Sequence, residues 1–542
     1  MGVASDLKLG QTFELSIDGL GHEGQGVGRW QDLVVFVPGA LPRERVVARL
    51  RRSAKRHMEA DLVGVEEPSE QRRKPPCILS DRCGGCSLQH CADAAQAELK
   101  ADLVRQALQR VGHLQVEVLP IWSAATPLGY RNRALIPLEF SPEGQLRAGY
   151  YRRGSHKIVN MNRCPVLDPR IDALIAPIKA DLEATRWPVD VNFSAGGGLR
   201  HLALRVGHHS GEVLITLVSS HNNLPGLEAL ANQWMQRWPE VVGVNLNIQP
   251  KANNVVLGPD TLQICGRSWL EERFAGHALR IAADTFFQVN TAQAERVVPM
   301  LVDFFLEDPT SQVLEAYSGI GTFSLPLAAA GLNVLGLELH EGSVQQARAN
   351  AVRNQLPNAR FEQADVAASL AEHLTWASSL LVDPPRKGLT PEVMEAILQA
   401  PPKRIAYISC NPATLARDLG RLTAEAGYRL RPVQPVDFFP QTSHVERVAL
   451  LQRDLTRTSG PQLGAELFLQ GGADGLVGPI HLRIGEGALG IAVAQAEGLA
   501  AAAGCHLLTL VAIHQFGLLE QRFAGLADGL EQIAAGGAAG HH

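Results

Sequence analysis

Between residues 8 and 68, apolar and polar side chains alternate with the period of a half-buried strand. Phe13-Glu14-Leu15-Ser16-Ile17 alternates, and Leu33-Val34-Val35-Phe36-Val37 is an apolar run that stops at Pro38-Gly39. Residues 45–50 and 59–65 supply two more strands, and the glycine-rich stretch 19–28 reads as a mobile loop or tight turn. Short strands with glycine turns predict a small OB-like β-barrel. Beyond Pro75-Pro76 the period changes. Leu99, Leu103, Val104, Leu108 and Val111 fall on one face of a helix predicted over residues 93–111. From residue 129 to 280 the chain is strand-rich and mixed, as at 202–206 and 213–218, and no topology follows from the pattern.

From residue 312 strand and helix patterns take turns. Strands are predicted at 313–317, 333–338, 360–361, 380–383 and 404–409, with helices at 323–330, 343–354, 392–399 and 413–426. Such alternation predicts a doubly wound parallel sheet of the α/β class, closed by two later strands at 429–439 and 444–452. Four segments result: 1–68, the barrel; 69–280, a mixed α+β central domain; 281–454, the α/β sheet; and 455–542, an extension. In the extension, a polar linker (455–464) precedes strand patterns at 480–484 and 506–513 and helical patterns at 488–503 and 516–534. No internal repeat is visible.

The 542 residues predict about three or four domains. A content of 46% hydrophobic and 19% charged residues suits a globular protein, and a net charge of -5 decides nothing about nucleic acid. The distribution of charge says more. Arg49, Arg51, Arg52, Lys55 and Arg56 crowd together without an acid, followed by Arg72, Arg73 and Lys74. These runs are either a phosphate-binding face or solvated surface. The first ten residues lack the apolar core of a signal peptide, and Gln495, Glu497 and His506 interrupt the most apolar window. No membrane association and a cytoplasmic location are therefore expected.

Three constellations carry chemistry. First, Glu315-Ala316-Tyr317-Ser318-Gly319-Ile320-Gly321 ends the first strand of the α/β segment, and Glu338 ends the second, 17 residues beyond Gly321. Glycines there let a nucleoside approach the backbone, and an acid after the second strand can take both ribose hydroxyls. With Asp365 and Asp383 at later strand ends, the set fits S-adenosylmethionine better than NAD. Each acid alone is as readily a helix cap. Second, Cys77, Cys83 and Cys86 form C-x5-C-x2-C, with Cys91 or Cys164 as a fourth thiolate. That set suits zinc or an iron–sulfur cluster, which spacing does not separate. Cys265 and Cys505 read as core residues. Third, Cys410 follows Arg404-Ile405-Ala406-Tyr407-Ile408-Ser409 and precedes a helix, at the carboxyl end of a strand where open sheets bind ligands. A cysteine there is a nucleophile if its thiolate is favoured, and otherwise a small core residue.

With Cys-Gly-Gly-Cys, Phe287-Gln288-Val289-Asn290, the glycine loop, Asp383-Pro384-Pro385-Arg386, Ser409-Cys410-Asn411-Pro412 and His444-Val445-Glu446-Arg447 in order, the chain resembles the S-adenosylmethionine-dependent RNA uracil-5-methyltransferases, and looks closest to the 23S ribosomal RNA branch. The resemblance runs from residue 7 to 454. It implies a TRAM domain, an RNA-binding barrel, at the N-terminus. It implies a [4Fe-4S] cluster on Cys77, Cys83, Cys86 and Cys164, and cofactor contacts from Gln288, Tyr317, Gly319, Glu338 and Asp383. It makes Cys410 the nucleophile that adds to uracil carbon 6, and Glu446 the general base. Read from the residues, Phe286 or Phe287 offers a stacking face for the uracil, or both are equally core residues. The expected partner is RNA, 23S ribosomal RNA first and transfer RNA second, and the expected state is a monomer. The family pattern leaves residues 455–542 and Cys91 without a role. A competing enzyme reading, amino-group methylation of a base, needs no cysteine and lacks the aromatic residue expected after Pro-Pro. A non-catalytic RNA-binding factor on the same scaffold would have no use for both Cys410 and Glu446.

Overall fold

The alternating N-terminal strands close on themselves. In the computed structural model, which describes residues 7–193, 196–453 and four strands of the C-terminal segment, β1 (Thr12–Leu20), β2 (Gln25–Trp30), β3 (Leu33–Pro38), β4 (Arg45–Ser53) and β5 (His57–Glu67) form a barrel in the order β1-β2-β3-β5-β4. Phe13, Leu15, Ile17, Val35, Val37 and Leu50 point inward, as the period of two requires. The glycine run proves to be strand and tight turn rather than loop: only residues 21–24 separate β1 from β2. Gly28 is needed because a Cβ there would lie 2.3 Å from the Ser16 carbonyl oxygen on β1. The basic run divides. Arg51 and Arg52 pair with Glu59 across β4 and β5, at 2.8 and 3.3 Å, whereas Arg49, Lys55 and Arg56 are exposed and have no ion-pair partner among the described residues.

Helix α1 (Asp93–Arg110) buries more than the predicted stripe. Val104 and Leu108 enter the core of the α/β sheet, while Leu99 and Leu103 pack on a small core of Leu20, Leu41, Leu88 and Cys91. Val111, placed on the apolar face by spacing, is 45% exposed, and Gln96 and Lys100 are buried instead. The helix lies between two bodies, so a polar stripe is enclosed as well. Lys100 Nζ donates to Asp437 Oδ1 at 2.7 Å and to the Phe439 carbonyl at 3.0 Å. A fully buried ammonium is tolerable only with such partners.

The central region contains β6 (Arg133–Phe140), β7 (Leu146–Ala148), α2 (Pro169–Thr185), β8 (Leu199–Val206), β9 (Val213–Ser219), α3 (Leu227–Arg237), β10 (Val241–Ile248) and β11 (Asp260–Gly266). Its six strands form a mixed sheet in the order β11-β10-β9-β8-β6-β7. β8 and β9 are buried at every position, which removes the alternation that would have revealed them. A hairpin of β12 (Trp269–Phe274) and β13 (His277–Ala282) leads onward.

The last body is the doubly wound sheet. It comprises α4 (Thr291–Leu306), β14 (Gln312–Ala316), α5 (Ser324–Ala329), β15 (Asn333–Glu338), α6 (Glu341–Arg353), β16 (Ala359–Gln363), α7 (Val366–His373), β17 (Ser379–Val382), α8 (Pro391–Gln399), β18 (Arg404–Ser409), α9 (Pro412–Glu425), β19 (Tyr428–Leu430), β20 (Gln434–Val436) and β21 (Glu446–Arg453). The strand order is β16-β15-β14-β17-β18-β21-β19, with β20 also on β21. Strands β14 to β18 are mutually parallel, and β21 runs antiparallel to β18. The single strand expected at 429–439 is two short pieces, β19 and β20, both paired to β21. The order reverses between β14 and β17, which places the ligand crevice at their carboxyl ends.

Contacts separate residues 1–454 from 455–542. In the second unit, β22 (Leu463–Gly471) pairs antiparallel with β23 (Gly475–Leu476), β24 (Ile480–Ile484) and β25 (Leu508–Leu510). The strand expected at 480–484 is present. The helices expected at 488–503 and 516–534, Cys505 and most of the linker lie outside the described residues. Among the described residues no helix is long and apolar enough to cross a membrane.

Gly28→Ala should destabilise the barrel by about 1–3 kcal/mol, because the new methyl meets backbone that cannot move freely. Thermal unfolding followed by circular dichroism measures this. An unchanged midpoint would show that the β1–β2 approach is not tight.

Candidate active site

Strand ends deliver the side chains. β18 finishes at Ser409, so Cys410 is the first residue beyond it, half-buried, and α9 begins two residues later. Asn411 caps that helix by accepting from the Ala413 N–H at 3.0 Å, and its Nδ2 donates to the Arg386 carbonyl at 3.0 Å. The loop after β17, which begins with Asp383, is thereby tied to the turn that carries Cys410. Asp418 adds a second tie, accepting from Tyr407 Oη at 2.8 Å and from the Leu389 N–H at 3.0 Å. β21 starts at Glu446 and pairs Arg447 with Ser409, so the antiparallel register sets Glu446 beside Cys410. Gln288, between β13 and α4, donates to Asp383 Oδ2 at 3.3 Å, and its carbonyl accepts from Asn132 Nδ2 at 2.9 Å.

The electrostatics follow from burial. The Cys410 thiol is held above its ordinary pKa, first by desolvation and then by the nearby Glu446 and Asp383 carboxylates, with Arg386 and Arg447 offsetting part of this. The sequence reading required a favoured thiolate; instead the free site disfavours it. Glu446 and Asp383 are both raised, chiefly because burial penalises their charge. For Glu446 the second cause is the Asp383 charge, so such a pair retains a proton that isolated carboxyls lose. Glu446 Oε2 is buried with no hydrogen-bond partner, free to take a proton. Arg447 is fully buried, and its Nη1 donates to the carbonyls of Ser409 at 2.8 Å and Val445 at 2.6 Å. Its role was not legible, because nothing in the sequence separates it from a surface arginine.

Beyond β14 the chain turns sharply. Tyr317, Gly319 and Gly321 have φ of 67, 56 and 83°. A Cβ at Gly319 would meet nothing within 4 Å, so one side of that turn is open, whereas at Gly321 it would strike the Phe361 ring at 2.8 Å. Glu338 accepts the Gly319 N–H at 3.0 Å and the His340 N–H at 2.8 Å, leaving lone pairs for hydroxyl donors. Asp365 is the N-cap of α7, accepting from the Ala367 N–H at 2.9 Å. Phe286 is 57% exposed, while Phe287 is buried edge-on to Phe274 at 5.7 Å.

The cysteines also separate. Cys83, Cys86 and Cys164 are all raised in pKa by burial, and each feels the charges of neighbouring thiolates among Cys77, Cys83 and Cys86. The N–H groups of Leu79 and Gly85 donate to Cys77 Sγ and Cys83 Sγ, each at 3.4 Å. Cys91 has no such neighbours and packs in the small core under α1. Among the described residues no three His, Cys, Asp or Glu side chains converge as they would on one metal ion.

The sequence pattern of the tRNA (Uracil-5-)-methyltransferase family matches residues 206–454, and that of the TRAM domain matches residues 6–63. An uncharacterized RNA methyltransferase of Parasynechococcus marenigrum is 48% identical over 453 residues, covering 83% of this chain and 97% of the relative. The chain belongs to the RNA (uracil-5-)-methyltransferase family. A further family member, an uncharacterized RNA methyltransferase of Listeria innocua, is 36% identical over 451 residues, covering 83% of this chain and 99% of its own. The solved Pyrococcus abyssi tRNA (uracil-54, C5)-methyltransferase in complex with S-adenosyl-L-homocysteine superposes with a TM-score of 0.65 at 28% identity, over 81% of this chain and 99% of that one. The methyltransferase fold and the N-terminal TRAM barrel of this family member thus agree with the resemblance read from its motifs.

Removing the Glu446 charge should make Cys410 of this methyltransferase more acidic. At an alkaline pH where Glu446 is ionised its charge opposes the thiolate; in Glu446→Gln that opposition is gone and more thiolate is present. Iodoacetamide should therefore alkylate Cys410 faster in the variant at that pH, as read by peptide mass spectrometry. Equal rates would mean that the two groups are not electrostatic neighbours.

Proposed function

We propose that this enzyme methylates carbon 5 of a uridine in RNA through a covalent adduct between Cys410 and carbon 6 of the base. The observation that carries the reading is the meeting of Cys410, Glu446 and Asp383 where β17 and β18 end and β21 begins. Uracil carbon 5 is a poor nucleophile. Addition of the Cys410 thiolate to carbon 6 forms the S–C6 bond and moves the C5–C6 π electrons into an enolate with density at carbon 5. The ionised member of the Asp383–Glu446 pair is placed to take the thiol proton and pass it on to solvent, which answers the raised Cys410 pKa and leaves Glu446 able to accept a proton later. Carbon 5 then takes the methyl group. Glu446 removes the carbon 5 proton, the C6–S bond breaks, and Cys410 leaves as thiolate. S-adenosylmethionine supplies the methyl group when bound. The open side of the Gly319 turn, Tyr317, the Glu338 carboxylate, Gln288 and Asp383 are the residues that would hold it. Phe286, exposed on the segment that carries Gln288, is the stacking face for a uracil drawn out of its RNA.

Cys77, Cys83, Cys86 and Cys164 would hold a [4Fe-4S] cluster. The reading is supported by a donor set of thiols alone and by N–H donors to the Cys77 and Cys83 sulfurs; the thiols do not converge as on one metal ion, so binding would have to draw them together. A cluster there would supply a covalent tie between residues 77–86 and Cys164, and methyl transfer needs no electron from it. The barrel and the cysteine segment support 23S ribosomal RNA as the substrate. Transfer RNA is the second reading, supported by what the Pyrococcus neighbour is named to act on.

Labelled S-adenosylmethionine with unmodified ribosomal and transfer RNA, digested to nucleosides, tests the reaction. Label is expected in 5-methyluridine from ribosomal RNA, and label from transfer RNA alone would overturn that substrate. Cys410→Ala should abolish turnover with RNA affinity kept. Glu446→Gln should slow product release by about 100- to 10,000-fold and trap the protein–RNA adduct on a denaturing gel. Release at the normal rate would remove Glu446 from the mechanism. Iron and acid-labile sulfide should be present in the purified protein and lost in Cys83→Ser; a protein purified anaerobically without either would end the cluster assignment.

A further inference from the structure

Glu446 stands at the end of a segment, residues 437–445, that contains no helix or strand. Glu446 itself pairs with Val436, and Arg447 with Ser409, but the nine residues of this segment have no ladder. The segment's partners come mainly from earlier parts of the chain, and they converge on Gln441. This residue is fully buried and has φ of 70°, in the left-handed region that glutamine rarely enters. Its N–H donates to Gln96 Oε1 at 3.0 Å, and its carbonyl accepts the Leu88 N–H at 2.9 Å. Its side-chain oxygen accepts from Arg73 Nη2 at 2.9 Å and from Gln96 Nε2 at 3.1 Å, while Nε2 donates to Asp93 Oδ1 at 2.9 Å. Two residues on, the Ser443 N–H donates to Ser87 Oγ at 2.9 Å, and Ser443 Oγ donates to the His22 carbonyl in the β1–β2 turn at 2.9 Å. Gly24 of that turn leaves no room for a side chain: a Cβ there would lie 2.7 Å from Ser87 Oγ and 3.3 Å from Ser443 Cβ. Lys100, paired with Asp437, and Tyr130 Oη, which donates to the Pro440 carbonyl at 3.1 Å, hold the start of the segment.

We propose that Gln441 is a positioning residue: with Ser87 and Gln96 it clamps the segment leading into Glu446 against the cysteine-rich loop and α1, so that the entry of the base into its strand, and with it removal of the carbon 5 proton, depends on parts of the chain outside the methyltransferase sheet. The inference rests on Glu446 being the base. A burial this complete, with every polar group of Gln441 engaged and an unfavourable backbone conformation retained, fits a fixed geometry better than a tolerant loop. Glu446 also stands at a strand end, but it directly follows the clamped segment, whereas Cys410 and the cofactor loop follow other strands. Loss of the clamp should therefore affect one step and not the others.

The test separates the steps in the full-length protein with RNA carrying tritium at uracil carbon 5. In Gln441→Ala, adduct formation and the KM for S-adenosylmethionine and RNA should be unchanged. Tritium release should slow about 10- to 100-fold, as expected of a catalytic group displaced by around 1 Å, and adduct should accumulate. Gln441→Asn, which keeps an amide and tolerates the left-handed backbone, should recover part of the rate. Ser87→Ala removes only the acceptor for Ser443 and should show the same step-specific effect more weakly, which decides the matter if Gln441→Ala does not fold. Glu446→Gln is run beside them. If it traps adduct while Gln441→Ala and Ser87→Ala release tritium normally, the clamp is wrong and the base assignment stands. If Glu446→Gln traps nothing, the base assignment itself fails. A uniform loss of all steps with a lowered melting temperature would make Gln441 merely structural.

Discussion

The antiparallel pairing of β21 with β18 is the constraint from which the active site follows. In a wholly parallel sheet, both strands would present the same ends to the ligand crevice, and a residue at the start of β21 would lie at the far side. Reversal brings the first residue of β21 to the last residue of β18, so Glu446 and Cys410 meet although 36 positions apart in sequence. Arg447 fixes the junction from below by donating to the Ser409 and Val445 carbonyls. Its remaining guanidinium nitrogens lack hydrogen-bond partners, so the charge stays directed at Glu446 and Cys410 rather than being spent on a surface acid.

That junction sets an electrostatic problem. Two carboxyl groups and a thiol are crowded into a desolvated crevice, where each negative charge opposes the next. The site therefore does not rest with a ready thiolate. A nucleophile kept neutral is protected from adventitious alkylation and oxidation, since the thiolate is the reactive species. The same crowding assigns work to the pair of acids. One of them is ionised more readily than the other, and an ionised carboxylate beside a thiol is a base waiting for a better electrophile. The arrangement suits a reaction in which a proton must leave sulfur before the adduct forms and another must leave carbon after methyl transfer.

Much of this was legible in the sequence, and the boundary of legibility has physical causes. The barrel strands were visible because one face of each meets water, and β14 to β18 because apolar runs alternated with helical periods. Ser409-Cys410-Asn411-Pro412 was visible because a strand end, a cap and a helix-starting proline are local signals. The central sheet was opaque because β8 and β9 are buried on both faces and show no period. Lys100, Gln96 and Gln441 were missed for a different reason: they find partners 337 to 368 residues away, and no local pattern marks a polar residue that will be enclosed. Val111 was misplaced by the same reasoning in reverse, since helical spacing gives a face but not where that face ends.

The contrast between Cys410 and Glu446 explains why such distant residues are needed at all. The nucleophile and the cofactor turn inherit their positions from strands whose hydrogen-bond ladders hold them. The base also begins a paired strand, but the nine residues leading into it have no ladder, and each such residue left free would cost about 1–2 kcal/mol of conformational entropy to order. Hydrophobic packing alone gives poor directional control over a carboxylate, whereas hydrogen bonds of defined length do. A network of buried Gln96, Lys100, Asp437 and Gln441, with Asp93 at its exposed rim, is an unfavourable way to build a core and an effective way to fix a loop. The polar stripe enclosed beneath α1 is thus the structural counterpart of a base whose strand is entered from an irregular segment.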